Sequence, residues 1–420
     1  MPAALPVLTE DRARQIVGDC GFGSPPAAPN GAGRVGVELE WLVVRTDDHD
    51  RPVAFETVRD VVDALGPLPG GSLVTFEPGG QVELSSPALP GLDACEPLRR
   101  DCSVLGQGLL EAGVGLVAVG LAPGPAPNRV VRSPRYDAME AYFDADGAAG
   151  RTMMRGTAAI QVNVDLGGAG EAERRWRLAH DLGPVLAAAF ANSPLSHGVP
   201  TGWRSSRLAV WFDVDPGRSA PVVSAAPGPR AWADYALAAR VMLVRCSEDE
   251  HRPLKEDLAF SDWITDGHEL GWPTPEDLEY HLTTLFPPVR PRRWLELRMI
   301  DALPDPWWQV AVAVSSTLLT DPDLGDRVAA SAAPVRNRWR DAARHGLTDP
   351  DLRRAACNCF AAALEALRAR GGDAATIDAT AAYADRYVAR GRCPADDRLD
   401  AWTRDGVVVP EPEGGNGSWI

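Results

Sequence analysis

Several short stretches of this chain alternate apolar and polar residues with a period of two, and in three of them the polar side carries glutamates. Side chains two apart on a strand point to the same face, about 6.5–7 Å apart along it. Over residues 34–44 this puts Glu38 and Glu40 together, opposite Val37, Leu39 and Trp41. Two short strands flank the turn signal Pro78-Gly79-Gly80; beyond it Gln81, Glu83 and Ser85 share a face against Val82 and Leu84. Residues 158–166 set Gln161, Asn163 and Asp165 against Ile160, Val162 and Val164, and residues 294–300 put Glu296 and Arg298 on one face. The apolar runs at 114–119 and 208–212 read as further strands.

Helical spacing marks residues 10–17, opened by Thr9 with Glu10 and Asp11, and 55–65, stopped at Gly66. It recurs at 92–112, 171–191, 231–246 and 276–285, and runs almost unbroken from 305 to 400. Strands scattered among helices without a regular βαβ rhythm predict an α+β fold with a largely antiparallel, curved sheet. Such a sheet can pack helices on one face and leave the other open, here as a carboxylate-rich cavity. The expected organisation is an N-terminal helix and Gly/Pro-rich connector over 1–33, one catalytic domain over 34–405 with a helical C-terminal region, and a tail over 406–420, loose in its Gly-rich part. Gly- and Pro-rich segments at 144–150 and 194–203 are candidates to close over the site.

The 420 residues, 45% hydrophobic and 24% charged, supply an ample core. A net charge of -16 argues against nucleic acid or an anionic membrane as partner. Lys255 is the single lysine, so there is no Gly-Lys-Ser/Thr phosphate loop, and a nucleotide would have to be held by arginine and metal. Seven scattered cysteines, odd in number and without metal-ligand spacing, suit reduced thiols in a cytoplasm. The N-terminal stretch lacks a secretory signal and no apolar run approaches the ~20 residues of a membrane span. A cytoplasmic protein is expected; the sequence is compatible with a monomer and leaves the oligomeric state open.

Carboxylates gathered on one face repel unless a cation sits between them, and a hard divalent ion fits that place. One Glu-x-Glu is ordinary on a solvated strand; glutamates on the polar faces of two further segments point to a site. Two carboxylates could serve a glycosidase, but five strand glutamates exceed that need and no aromatic platform lies near them in the sequence. The seven histidines lack zinc-site spacing, and His281, at a helix end, reads as a capping or packing residue. Oxygen ligands suit magnesium bridging substrate phosphates. Arg204, Arg207 and Arg218, around the 208–212 run, and Arg298, beside Glu296, offer paired hydrogen bonds to carboxylate or phosphate oxygens.

Taken in order, Gly-Val-Glu-Leu-Glu at 36–40, Phe-Glu-Pro-Gly-Gly-Gln-Val-Glu-Leu-Ser at 76–85, Arg135-Tyr136-Asp137-Ala138-Met139, Met153-Met154 and the Gln161-Val162-Asn163 core of 157–165 form a pattern. It continues through 207–218, His281 to Pro287 and Leu295-Glu296-Leu297-Arg298. This pattern resembles the glutamate–cysteine ligases of the group joining plant enzymes to bacterial relatives, within the glutamine-synthetase-like ligases. The resemblance implies that ATP phosphorylates the L-glutamate γ-carboxylate and that the L-cysteine amino group displaces phosphate from the γ-glutamyl phosphate. It implies two or three Mg2+ ions on Glu38, Glu40, Glu77, Glu83 and Glu296, with Gln161 at a position that is histidine in some bacterial relatives. Arg298 is expected to meet the transferring phosphoryl group, with Glu38 and Glu296 as its catalytic companions and Gln161 and Asn163 on the nucleotide side. Arg135, Tyr136, Arg207, Trp211 and Arg218 match amino-acid pockets. The chain is expected to be a bacterial rather than a transit-bearing plant enzyme, and its Arg/Ala-rich composition is similar to that of actinobacterial relatives serving ergothioneine biosynthesis. Two alternatives stand beside this reading: a ligase of glutamate with another amine, and a non-catalytic metal- or nucleotide-binding relative. The second is disfavoured by intact Glu38, Glu40, Glu83, Glu296 and Arg298.

Overall fold

In the computed structural model, which describes residues 8–23, 33–49 and 51–410, one long strand organises the rest. That strand, β1 (Arg34–Arg45), pairs over residues 35–39 with β6 (Ala159–Asp165) on one side and over residues 38–41 with β3 (Val82–Ser85) on the other. Beyond β3 lies β2 (Leu73–Phe76); beyond β6 lie β12 (Trp294–Asp301) and β11 (Val289–Pro291). The two ends of β1 also pair with β4 (Leu89–Pro90) and β5 (Val114–Val117). All these pairings are antiparallel, and the sheet does not close on itself. Two small hairpins, β7 (Leu195–Ser196) with β8 (Val199–Pro200) and β9 (Leu243–Arg245) with β10 (His251–Pro253), stand apart from it.

The alternation in the sequence decides which face is covered. Val37, Leu39, Trp41, Val82, Leu84, Ile160, Val162, Val164, Leu295 and Leu297 are all buried. Helices Ala169–Ala189 and Trp307–Thr320 pack against this part of the sheet. Each such side chain contributes about 1.5–3 kcal/mol on leaving water, so the polar residues between them are forced onto the opposite face.

Cross-strand partners share a face, and the register lays the polar residues in three rows. Thr75, Glu83 and Glu40 form one; Ser85, Glu38 and Gln161 form the next; Asn163, Glu296 and Arg290 form the third. Between Leu297, opposite Val162, and Ile300, opposite Ile160, β12 carries one residue more than β6. This bulge resets the alternation: Ile300 enters the covered face, while Arg298 and, three residues on, Asp301 both take the polar side.

The Pro78-Gly79-Gly80 turn between β2 and β3 is tied by Gly80 N–H to Glu77 O (2.8 Å). Gly80 has φ of +87°, and a Cβ on Gly79 would come within 2.0 Å of the Arg155 carbonyl oxygen. The turn therefore needs glycine at both positions, for different reasons. A second, smaller core gathers Met139, Tyr142 and Phe143 of helix Pro134–Phe143, Met153 and Met154 of helix Ala149–Gly156, and Val214, Met242 and Leu243.

The expected strands at 34–44, 158–166 and 294–300 and the hairpin around Pro78 are present, as are the helix 55–65 and the helical run beyond 305. Two expectations fail. Residues 208–212 belong to a helix, Ser206–Val214, whose start is capped by the Ser205 hydroxyl accepting from Leu208 N (3.2 Å). A five-residue apolar run carries no period that separates strand from helix. The helix expected over 231–246 is Gly228–Ala238 followed by β9. The first helix runs farther than expected, Glu10–Phe22, while most of the connector and the Gly-rich tail fall outside the described residues. No described helix is long and apolar enough to cross a membrane. Gly79→Ala is expected to cost about 1–3 kcal/mol by overpacking, read as a lower urea midpoint; an unchanged midpoint would show that the turn does not seat on Arg155.

Candidate active site

The open face of the sheet walls a cavity of about 730 Å³. Glu38, Glu40, Glu77, Glu83 and Glu296 all line it, with Gln161 and Arg298 among them. Side-chain amides fix the carboxylates. Glu40 accepts from the Ala159 backbone N–H and from Gln161 Nε2, both at 2.9 Å. Gln161 Oε1 accepts from Arg298 Nη1, so this amide links a cation to an anion, a task that needs a donor and an acceptor in one group. Asn163 repeats the arrangement one row away, giving its Nδ2 hydrogen to Glu38 (2.9 Å) and accepting from Trp294 Nε1 (2.9 Å). Glu83 accepts from the hydroxyls of Thr75 (2.7 Å) and Ser85 (3.2 Å).

The glutamates are not electrostatically equivalent. Burial, with the nearby charges of Glu296 and Glu83, pushes Glu38 up to about 7. Burial again, then Glu77 and Glu83, raises Glu40 well above the carboxylate range, and burial with Glu83 raises Glu77. Glu296 shows the reverse. Its burial alone would raise it, but Arg290 and Arg298 more than offset that and hold it at about 2. Arg290 grips both of its oxygens, Nε to Oε2 at 2.5 Å and Nη2 to Oε1 at 2.9 Å, while Arg298 Nη1 reaches Oε1 at 3.1 Å. Glu38, Glu40 and Glu77 therefore crowd around space in which the protein supplies too little positive charge. Oxygen-only donors short of a counter-charge fit a hard divalent cation. Among the described residues, however, no three carboxylate, imidazole or thiol groups are already drawn together as a chelating cluster.

Beside Arg298 two buried groups hold unused donors. Arg207 has no hydrogen-bond partner for Nε or Nη1, and Trp211 has none for Nε1. The remaining Arg207 nitrogen donates to the Arg298 carbonyl (2.9 Å), and Nη1 lies 3.8 Å from Asp301. Asp301 is itself fixed by Asn192 N–H (2.8 Å) and the hydroxyls of Ser193 (2.7 Å) and Ser205 (2.9 Å). Leaving a buried donor unpaired costs about 1–3 kcal/mol, which a ligand carboxylate in the cavity would recover. On another wall, Ser133 caps the helix that carries Arg135 and Tyr136. Arg135 donates to the Thr283 carbonyl (3.2 Å), and burial with Glu77 pushes the Tyr136 phenol up to about 12.

Two expected site residues are elsewhere. Arg218, expected in an amino-acid pocket, is fully buried away from the cavity wall. Its guanidinium bonds Asp215 (2.8 Å), Thr284 O (2.9 Å), Tyr142 Oη (3.2 Å) and Arg240 O (2.7 Å), so its donors serve the architecture. Asn163, expected on the nucleotide side, does not line the cavity and acts on it through Glu38. His281 is a packing residue, buried against Phe260 with Nε2 on Ala236 O (2.9 Å). The residue missed from the sequence is Arg290. It faces Glu296 across a tight hairpin in which Arg292, Arg293 and Trp294 lie between the paired Pro291 and Leu295, with Arg293 at φ of +64°. A glycine at the left-handed position of Arg293 would have announced the turn, and with it the pairing.

An open antiparallel sheet with a carboxylate wall, arginines facing it and vacant donors for an acidic ligand is the equipment of an enzyme that activates a carboxylate. The chain belongs to glutamate-cysteine ligase family 2 (GCS2), which it matches over residues 34–416, and it is a ligase. It is 44% identical over 386 residues to the glutamate–cysteine ligase EgtA of Mycobacterium tuberculosis, covering 90% of this chain and 88% of that one. It is 30% identical over 337 residues to the chloroplastic glutamate–cysteine ligase A of Oryza sativa, covering 72% and 64% respectively. The fold is similar to that of the Francisella tularensis glutamate–cysteine ligase in complex with AMP, with a TM-score of 0.54, 14% identity and coverage of 92% and 86%. Arg218→Met is expected to cost about 3–5 kcal/mol in urea unfolding, as a broken buried pair does; weaker substrate binding at unchanged stability would return Arg218 to the cavity.

Proposed function

We propose that this chain joins the γ-carboxylate of L-glutamate to the amino group of L-cysteine, with ATP giving ADP and phosphate and γ-glutamylcysteine as product. The observation that carries the reading is the under-neutralised wall of Glu38, Glu40 and Glu77 facing Arg298 in one cavity. A γ-carboxylate oxygen attacks the terminal phosphorus of ATP and ADP leaves. The amine nitrogen then attacks the acyl carbon of the γ-glutamyl phosphate, and the C–O bond to phosphate breaks. Both steps gather negative oxygens, so catalysis is mainly positioning and charge neutralisation.

Arg298, held by Gln161 and Glu296, meets the transferring phosphoryl group. Arg207 and Trp211 offer their vacant donors to the glutamate substrate, with Arg135 and Tyr136 across the cavity. Glu38, Glu40, Glu77 and Glu83 would hold magnesium, with Glu296 at the edge of the cradle and Arg290 fixing it from behind. Two or three such ions, when bound, supply the positive charge that brings ATP phosphates against a wall of carboxylates. Ergothioneine biosynthesis in a bacterial cytoplasm is the proposed setting, supported by the mycobacterial relatives.

The test is direct. Purified protein with magnesium, ATP and glutamate should release phosphate on addition of cysteine, and mass spectrometry should find γ-glutamylcysteine; no ADP with any amine would overturn the reading. Glu38→Ala and Glu296→Ala are each expected to lower turnover by about 10²-fold or more, the scale of a lost transition-state stabiliser. Glu40→Gln removes one of the crowded charges. It should raise thermal stability in magnesium-free buffer while shrinking the stabilisation that added magnesium gives the unaltered chain; equal magnesium shifts in both would remove Glu40 from the cradle.

A further inference from the structure

Beyond the bulge in β12, Asp301 is buried and lies off the cavity wall. Its hydrogen bonds come from the segment leading into helix Ser206–Val214. One carboxylate oxygen takes the Asn192 N–H (2.8 Å) and the Ser193 hydroxyl (2.7 Å); the other takes the Ser205 hydroxyl (2.9 Å). Each hydroxyl also accepts from the start of the helix, Ser193 Oγ from the Arg207 N–H and Ser205 Oγ from the Leu208 N–H, both at 3.2 Å. A serine hydroxyl has one hydrogen and rotates to suit its partners. With that hydrogen given to Asp301, its lone pairs are left for the helix. One carboxylate therefore orients two caps of the element that carries Arg207 and, one turn on, Trp211.

The same carboxylate acts on the Arg207 side chain. Nη1 lies 3.8 Å away, too far for a hydrogen bond but close enough for attraction. Burial holds the Arg207 guanidinium below its ordinary value, with Asp301 and then Glu40 working against it. Two anions thus draw on one buried guanidinium, whose Nε and Nη1 have no hydrogen-bond partner. Without Asp301, Glu40 is the next anion to draw it, and the donors would turn to the wall instead of a ligand. Asp301 attracts Arg207 without taking up those donors. The strand that bears Asp301 also bears Arg298, whose guanidinium stands 5.7 Å from the Trp211 ring centroid. A Cβ on Gly120 would come within 2.4 Å of the Asp301 carboxyl carbon, so the carboxylate is confined by shape as well.

We propose that Asp301 is a positioning residue for the glutamate substrate: it holds Arg207 in place with its donors free, and fixes the helix carrying Arg207 and Trp211 against the strand carrying Arg298. The inference rests on the ligase reading above and deepens it. Arg207 touches the substrate; Asp301 acts through it, and Ser193 relays the carboxylate to the Arg207 backbone. A charge behind an arginine sets its direction, because the planar guanidinium presents its donors as one rigid fork.

The experiment is steady-state kinetics of the purified chain, with glutamate and cysteine varied in turn at saturating ATP and magnesium. Asp301→Asn keeps the size of the side chain and removes its charge. It should raise the KM for glutamate about tenfold, the low end of what a hydrogen bond to a charged group contributes. The kcat should stay within about twofold and the KM for cysteine should not move, as when binding is lost equally from ground and transition states. Ser193→Ala leaves the charge and removes one relay. It should raise the glutamate KM about threefold, on the scale of a neutral hydrogen bond, and it decides the matter alone if Asp301→Asn does not fold. A merely structural Asp301 would show instead as a lower melting temperature and a smaller kcat at an unmoved glutamate KM. That result, an unchanged glutamate KM in both variants, or an equal rise in the KM for both amino acids would each overturn the proposal. Absence of ADP formation by the unaltered chain with glutamate and any amine overturns the ligase reading itself, and this inference with it.

Discussion

The pairing of β1 with β6 on one side and β3 on the other is the constraint from which the cavity follows. Side-chain direction on a strand has a period of two, so a slip of one residue would exchange the two faces. Burial of Val37, Leu39 and Trp41 in the core forbids that slip, and Glu38 and Glu40 are left facing the cavity. The apolar side of the sheet thus bears the free-energy cost of the polar side. A wall of partly buried carboxylates would not hold together on its own contacts; it persists because the core behind it determines where each strand lies.

On that wall the chain settles negative charge in two ways. Glu296 is satisfied internally, gripped by Arg290 and touched by Arg298, and in return it fixes both guanidinium groups. Glu38, Glu40 and Glu77 are left short of cations, and side-chain amides and one backbone N–H orient the first two without neutralising them. The difference separates a part that is finished before any ligand arrives from a part that is finished by its ligands. Gln161 joins the two, since its amide carries the position of Arg298 to Glu40. Arginine, with several donors in a rigid plane, can serve a carboxylate, a carbonyl and a ligand at once, which suits a chain with one lysine.

Much of this was legible in the sequence because the strands that matter alternate cleanly. Glu38 with Glu40, Gln161 with Asn163, and Glu296 with Arg298 could be assigned to faces from spacing alone. What escaped was set by tertiary pairing. Arg290 gains its meaning only opposite Glu296, across a hairpin whose turn residues carry no turn signature. Arg218 looked like a ligand residue by its neighbours in the chain, but Asp215, Tyr142 and Thr284 close around it in space. The 208–212 run looked like a strand because five apolar residues hold no period, and the hydroxyl of Ser205 decided for a helix. Strict alternation along β12 would also have put Ile300 beside Glu296 and Arg298, and missed that Asp301 belongs with them.

The extra residue in β12 has a consequence for how the gene can change. Substitutions along this strand alter one side chain at a time, but loss of a single codon between Leu297 and Ile300 would let the ladder with β6 run on without interruption. The shortened strand would be regular, and Ile300 and Asp301 would keep their places opposite Ile160 and Ala159, with the carboxylate that anchors Ser193, Ser205 and Asn192 unmoved. What matters is which residue goes: without Met299, Arg298 stays opposite Gln161 on the polar side, whereas without Arg298, Met299 takes that place. The guanidinium, more than the length of the strand, is therefore what lineages carrying this enzyme have to preserve.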